Sequence, residues 1–347
     1  MNKFSVLIPF RNEKEEVGRT VKSVRDTAGD RVDIIVVNDC SYDGYDYEKD
    51  LKPYNVEYHV TAGRLGSSAG KELCVGLCKT PYFLILDAHC RIYTPNWLDL
   101  AEELMDKPES QNVVYCCTCW YFNNEQDHQS SSHMKAYGGY FDYNIKSIFS
   151  CAWNLRNFTK ETGEEPFEVP CILGANYICS KKWWNYIGGY KGLKLYGREE
   201  SFISIKSKMA GGQVKCFPKI ITGHKSRPGN VQPYACYCYE IAHNEMVIAY
   251  LCVPALFDKL KKIWESLYSF DPNIYKSAET LFNSHKEELD ILRGQLQKIK
   301  KIDYADLDKF NAAFQKTIGF SYSKQKQKIA GTYTKFNSSE KHKFAMG

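Results

Sequence analysis

Leu84-Ile85-Leu86-Asp87-Ala88-His89-Cys90 is an apolar run that stops at a carboxylate and an imidazole. A run of this kind, from Tyr82 to Leu86, reads as a buried strand. Two others precede it. Phe4 to Pro9 stops at Arg11-Asn12-Glu13, and Val32 to Val37 stops at Asn38-Asp39. Between the first two, Glu15 to Arg25 places Val17, Val21 and Val24 at helical spacing. Val113 to Trp120 reads as a further strand. Apolar strands alternating with amphipathic helices predict an α/β fold whose parallel sheet is covered on both faces. Ligands of such sheets sit beyond the carboxyl ends of the strands. The polar residues that end each run are therefore the candidate site.

The chemistry of those ends is specific. In extended backbone, residues two apart point the same way. Asp87 and His89 can grip one divalent cation, and a hard oxygen beside an imidazole suits Mn²⁺ better than Ca²⁺. A strand-end turn with Asp as a helix cap is the alternative. Asp39 can accept from the N–H of a base such as uracil, or merely close an Asx turn. Leu195-Tyr196-Gly197-Arg198-Glu199-Glu200 opens a helix with adjacent carboxylates, which can contact sugar or acceptor hydroxyls or simply favour the helix start. Gly223-His224 can complete a His/Asp/His metal set, and Arg227 can pair with a diphosphate. Gly66-Ser67-Ser68-Ala69-Gly70-Lys71-Glu72 resembles a phosphate loop only superficially. It has three residues between its glycines instead of four, and Glu72 follows the lysine where Ser or Thr is needed.

Later segments extend the pattern. A short strand follows Gly174, then a Trp-rich helix start, Gly188-Gly189, a helix near Glu200–Met209 and a strand near Val214–Phe217. Beyond Ala255 the character is helical. Leu256, Leu260, Ile263 and Leu267 mark one helix. Leu281, Leu289, Leu292, Leu296 and Ile299 mark another.

In order and spacing, these motifs resemble GT-A glycosyltransferases of the family-2 superfamily. They are most similar to the polypeptide N-acetylgalactosaminyltransferases. Arg19-Thr20-Val21-Lys22-Ser23-Val24, Asp87-Ala88-His89-Cys90, Trp97-Leu98, Gly188-Gly189-Tyr190, Tyr196-Gly197-Arg198-Glu199-Glu200, Gly211-Gly212 and Gly223-His224-x-x-Arg227 carry the resemblance, over about residues 3–234. It implies a GT-A fold, a Rossmann-like nucleotide-diphospho-sugar transferase, over 1–234. A C-terminal helical extension over 235–320 and a polar Lys-rich tail over 321–347 would follow. It implies Mn²⁺ or another divalent cation on Asp87, His89 and His224. Pro9, Arg11, Glu13, Asp39, Asn176, Tyr196 and Tyr234 would bind a UDP-sugar donor, and Glu199, Glu200 and Arg227 would serve transfer, with retention of configuration. Tyr196, Arg198, Glu200 and Gly174-Ala175-Asn176 depart from the family pattern where sugar and acceptor are touched. The donor sugar and the peptide acceptor therefore do not carry over.

Composition narrows the classes. Of 347 residues, 44% are hydrophobic and 25% charged, as in a globular chain, which excludes a wholly disordered or collagen-like protein. No run approaches the ~18 apolar residues of a membrane span. Met1-Asn2-Lys3-Phe4 leads straight into a strand, so the expectation is a cytoplasmic protein with reduced thiols and no membrane partner. Fourteen cysteines then serve as small hydrophobes; Cys116-Cys117-x-Cys119 and Cys236-x-Cys238 lack the spacing of zinc knuckles. Net charge is +5, and Ala255 to Gly347 holds 17 Lys and Arg against 11 Asp and Glu. That basic region admits nucleic acid as a partner. A protein, a glycan or a hydroxymethylated DNA base all remain acceptors. A non-catalytic binding protein on a degenerate GT-A fold and a sugar-nucleotide hydrolase are the competing functions.

Overall fold

The structure is a computed structural model that describes residues 2–123, 134–142, 149–158, 163–227 and 232–318. The strands are β1 (Phe4–Phe10), β2 (Val32–Asn38), β3 (Glu57–Val60), β4 (Tyr82–Leu86), β5 (Cys90–Ile92), β6 (Val113–Phe122), β7 (Lys135–Ala136), β8 (Gly139–Phe141), β9 (Cys151–Trp153), β10 (Phe167–Glu168), β11 (Asn176–Ser180) and β12 (Gln213–Lys225). The helices are α1 (Glu15–Ala28), α2 (Tyr47–Leu51), α3 (Ser67–Leu77), α4 (Trp97–Met105), α5 (Lys181–Ile187), α6 (Glu199–Met209), α7 (Cys238–Cys252), α8 (Phe257–Leu267), α9 (Pro272–Ser284), α10 (Lys286–Ile299) and α11 (Tyr304–Thr317).

Ten strands form one sheet, ordered β10-β12-β6-β11-β4-β1-β2-β3, with β5 and β7 on its periphery. The central runs are buried on both faces, as continuous apolar strands must be. Val17, Val21 and Val24 of α1 are fully buried. Each contributes roughly 1.5–3 kcal/mol relative to exposure.

The predicted parallel sheet needs one correction. β3, β2, β1 and β4 are mutually parallel, and β12 is parallel to β6. β11 runs antiparallel to both β4 and β6, between them. Its first residue, Asn176, therefore lies beside Leu86, and Gly174-Ala175 reaches the functional edge of the sheet. The strand near Val214–Phe217 is longer than expected and runs on through His224. The second C-terminal helix is also two: α9 and α10 break at His285, whose φ of −132° and ψ of 27° are not helical.

α7 is buried along most of its length and belongs to one apolar core with the sheet. Among the described residues no helix is long and apolar enough to cross a membrane. Charge in the extension is balanced: residues 255–318 hold 11 Lys and Arg against 10 Asp and Glu. Several pair along a helix, as Lys286 with Asp290 and Lys309 with Asp306 do. The basic excess thus falls on residues 319–347, outside the described residues.

Candidate active site

The strand ends converge on a cleft of about 440 Å³. Pro9, Arg11 and Glu13 after β1, Asp39 after β2, and Asp87 and His89 after β4 line it. His224 and Arg227 enter from the end of β12, and Tyr234 from the segment after it. Tyr196, Glu199 and Glu200 close the opposite wall at the start of α6. Among the described residues one group has metal-ligand geometry: donor atoms of Asp87, His89 and His224 lie within 4.8 Å of one another. No cysteine group joins it, and all fourteen thiols are free.

The three side chains suit a divalent ion. The Nε2 atoms of His89 and His224 are 3.1 Å apart, and His224 Nε2 is 3.7 Å from Asp87 Oδ2. Two cis ligands at bonds of roughly 2.1 Å would stand about 3.0 Å apart. Burial and the neighbouring His89 push the His224 imidazole below its usual range, which keeps it neutral and able to ligate. Burial alone would raise Asp87. The Lys71 ammonium, with His224 and His89, instead holds its carboxyl well below the usual range. His89 Nδ1 is 3.4 Å from Glu13 Oε1, so the ring stands between that carboxylate and the cleft with Nε2 turned toward His224. Arg227 pairs with Glu13 and Gln232 and lies 3.0 Å from His89 Nδ1.

Asp39 is held at the other end. The backbone N–H groups of Leu65 and Gly66 donate to its two carboxylate oxygens. A carboxylate accepts about four hydrogen bonds, so it retains capacity for a base. Gly66 has φ +87°, and a Cβ there would lie 2.2 Å from the Leu195 Cα. Only glycine lets these two loops touch.

Near the carboxylate pair, burial and the adjacent Glu199 raise the Glu200 carboxyl, and Lys71 opposes the rise. Glu199 accepts from the Gly197 N–H at 3.2 Å. Gly174 leaves space for Glu200: a Cβ there would fall 2.1 Å from Glu200 Oε1.

Asn176 does not join the site. Its side chain is fully buried in the sheet, accepting from Cys117 N at 2.9 Å and donating to Thr222 Oγ1. Its predecessors Gly174 and Ala175 line the cleft in its stead. The sequence reading also passed over Lys71. Its ammonium is buried, lines the cleft, and sits 4.0 Å from Asp87 Oδ1 and 3.5 Å from the Gly174 carbonyl. The signal was there in Gly66–Glu72, which is no Walker loop yet does open a helix at the site. Trp153 was missed too. It stacks on Tyr121 at 4.4 Å and 21°, and both line the cleft. Arg64 is a third, fixed by a bidentate pair with Glu240 at 2.7 and 2.9 Å.

A mixed sheet of this order, with an Asp-x-His at the end of β4 and nucleotide-sized space before it, defines a GT-A glycosyltransferase catalytic domain. The chain belongs to glycosyl transferase family 2, whose profile matches residues 5–187. It is 27% identical to polypeptide N-acetylgalactosaminyltransferase 10 of Homo sapiens over 230 residues, 63% of this chain and 37% of that protein. With polypeptide N-acetylgalactosaminyltransferase 3 of Mus musculus it shares 26% identity over 263 residues, 71% of this chain and 40% of that protein. The chain thus spans well under half the length of these relatives. In fold it is similar to GalNAc-T7 with UDP, GalNAc and Mn²⁺, at TM-score 0.59 and 20% identity, covering 82% of this chain and 55% of that one. It is also similar to S. aureus TarS 1–349 with UDP-GlcNAc, at TM-score 0.51 and 13% identity, covering 92% and 93%.

Proposed function

We propose that this cleft transfers a hexosyl or N-acetylhexosaminyl group from a UDP-sugar to a hydroxyl acceptor, assisted by Mn²⁺ or another divalent cation. The observation that carries the reading is the convergence of Asp87, His89 and His224 in the same cleft as Asp39 and Glu199. The GalNAc-T7 and TarS structures, named with UDP and UDP-GlcNAc, support a UDP-sugar donor.

Each residue has a physical task. Asp39, set by the Leu65 and Gly66 N–H groups, accepts from the uracil, and Pro9, Arg11 and Glu13 flank it. A divalent ion on Asp87, His89 and His224 supplies several kcal/mol of stabilisation to the charge that grows on the leaving diphosphate. Arg227, beside His89, adds a charge-assisted pair to the same phosphates. Tyr196 and Tyr234, with rings 6.4 Å apart, cover the donor and exclude water. Glu199 contacts the transferred sugar. The Asp87-x-His89 resemblance supports retention, in which the departing phosphate takes the acceptor proton and Glu200 orients the hydroxyl.

The test is UDP release from a panel of UDP-sugars, with Mn²⁺ or with chelator, in the presence of peptide, glycan or hydroxymethylated DNA. Metal-dependent release that one acceptor class accelerates establishes the reaction and its acceptor. Release that no acceptor alters indicates a hydrolase, and no release from any donor sinks the enzyme reading. Glu200→Gln should slow transfer about 10-fold if Glu200 only orients the acceptor. Total loss at unchanged UDP affinity would make it the base of an inverting reaction.

A further inference from the structure

The wall that carries Tyr196, Glu199 and Glu200 is built from unusual backbone. Leu195 (φ 56°) and Arg198 (φ 72°) are non-glycine residues in the left-handed region, flanking Gly197 at φ 103°. Such residues cost of order 1–3 kcal/mol each and persist only where surroundings hold them. The holding group is Asn244 of α7, fully buried. Its Oδ1 accepts from Lys194 N at 3.0 Å, and its Nδ2 donates to the carbonyls of Gly197 at 2.8 Å and Tyr196 at 3.3 Å. One amide side chain therefore grips the loop at three backbone groups, on both sides of Leu195 and up to the residue before Arg198.

The amide has only one workable orientation, since Lys194 offers an N–H and the other two groups are carbonyls. That assignment propagates outward. The Asn244 Oδ1 faces His243 Nδ1 at 2.8 Å, so Nδ1 must carry the proton. His243 Nε2 is then a bare lone pair, 2.8 Å from His285 Nε2, which must donate to it. His285 stands at the break between α9 and α10. A directed chain runs from the helical extension, His285 to His243 to Asn244, and ends on the loop that presents Glu199 and Glu200.

We propose that Asn244 is a positioning residue for sugar transfer, oriented by the His285–His243 relay, so that the helical extension sets the geometry of the catalytic loop. This rests on the transferase reading of the cleft. Asn244 reaches that geometry through backbone, and Asp87, His89 and His224 lie on separate elements. Loss of the grip should therefore slow turnover far more than it weakens metal-dependent UDP binding.

The experiment compares Asn244→Ala, His285→Phe and His285→Gln in the full chain. UDP-sugar turnover is read beside Mn²⁺-dependent UDP affinity and amide hydrogen exchange of residues 194–200. Asn244→Ala should lower kcat about 100-fold, the scale of an ångström of misplacement, and speed exchange in the loop, with a much smaller loss of UDP affinity. His285→Phe deletes the donor and should lower kcat about 10-fold, whereas His285→Gln, whose amide can donate, should restore most of it. Unaltered loop exchange in Asn244→Ala overturns the proposal whether or not a donor has been found. So does an equal loss of UDP affinity and kcat, which marks a merely structural role. Failure of the transferase reading shows differently, as wild-type protein without Mn²⁺-dependent UDP binding. If Asn244→Ala does not fold, the contrast between His285→Phe and His285→Gln decides, and equal kcat in the two rejects the relay.

Discussion

Among the described residues two pairs of histidines meet through their Nε2 atoms, and their surroundings suit them to opposite tasks. His89 and His224 stand 3.1 Å apart and His243 and His285 2.8 Å apart, so distance does not separate them. Surroundings do. The first pair has the Asp87 carboxylate on the same side as its lone pairs and opens on a cleft. The second has a proton committed between its rings and an amide behind it, and its carboxylate, Glu288, stands at the other ring nitrogen, 3.5 Å from His285 Nδ1. A third ligand and an open face make a metal site, whereas a fixed tautomer makes a strut.

The sharpest way to break the comparison is to strip the first pair. Asp87→Ala or His224→Ala should weaken Mn²⁺-dependent UDP binding, measured by calorimetry, by about 1,000-fold, the value of several kcal/mol. In the same titration His285→Gln should stay within about two-fold of wild type, as expected of independent sites. A matching loss there would mean that the pairs are coupled.

A smaller effect should follow from crowding the wall opposite the metal. Gly174→Ala places a Cβ where Glu200 Oε1 stands. Glu200 must move, and turnover should fall roughly 10-fold while Mn²⁺-dependent UDP affinity holds. Undiminished turnover would show that the position of Glu200 does not matter to the reaction.

The smallest effect concerns protons. Burial holds the His243 imidazole down to about 3, with its neighbour His285 adding to the fall against the Asn244 hydrogen bond. Unfolded histidine titrates near ~6.5. The unfolded chain therefore binds more protons between these values, and stability is full above pH ~6.5 and declines as pH falls below it. Burial and then Lys194 press the same way on His285, and Glu288 opposes them. Urea unfolding should lose on the order of 1 kcal/mol per pH unit between pH 6 and 5 through this group. The decline should flatten in His243→Gln; equal slopes in both proteins would remove the pair from the acid response.

Much of the metal wall was legible in the sequence, and little of the strut was. Asp39, Asp87 and His89 end apolar runs, and a buried strand that stops at a charge announces its edge of the sheet. β3, Glu-Tyr-His-Val, carries no such mark because it is an edge strand with exposed residues at both ends. The direction of β11 was invisible, since apolar pattern is the same in either sense. That put Asn176 on the wrong side of the boundary between sheet and cleft. Lys71 was set aside with a false phosphate loop, and its burial beside Asp87 is a fact of tertiary packing. Asn244 sits on α7, which the sequence reading passed over, and His285 falls in a stretch read only for its leucines. Their partners are 42 to 50 residues away in sequence, where periodicity says nothing.

The buried thiols offer a clock. Of fourteen cysteines, Cys238 alone is exposed, and Cys40, Cys151 and Cys236 are intermediate. Burial pushes Cys74, Cys90, Cys117, Cys179 and Cys252 up from the ordinary thiol range, away from the reactive thiolate. A maleimide added to the native protein therefore meets Cys238 first and the three partly exposed thiols next. The ten buried thiols become reactive only when the core opens, so counting labels by mass against time yields the opening rate of the core without any engineered probe.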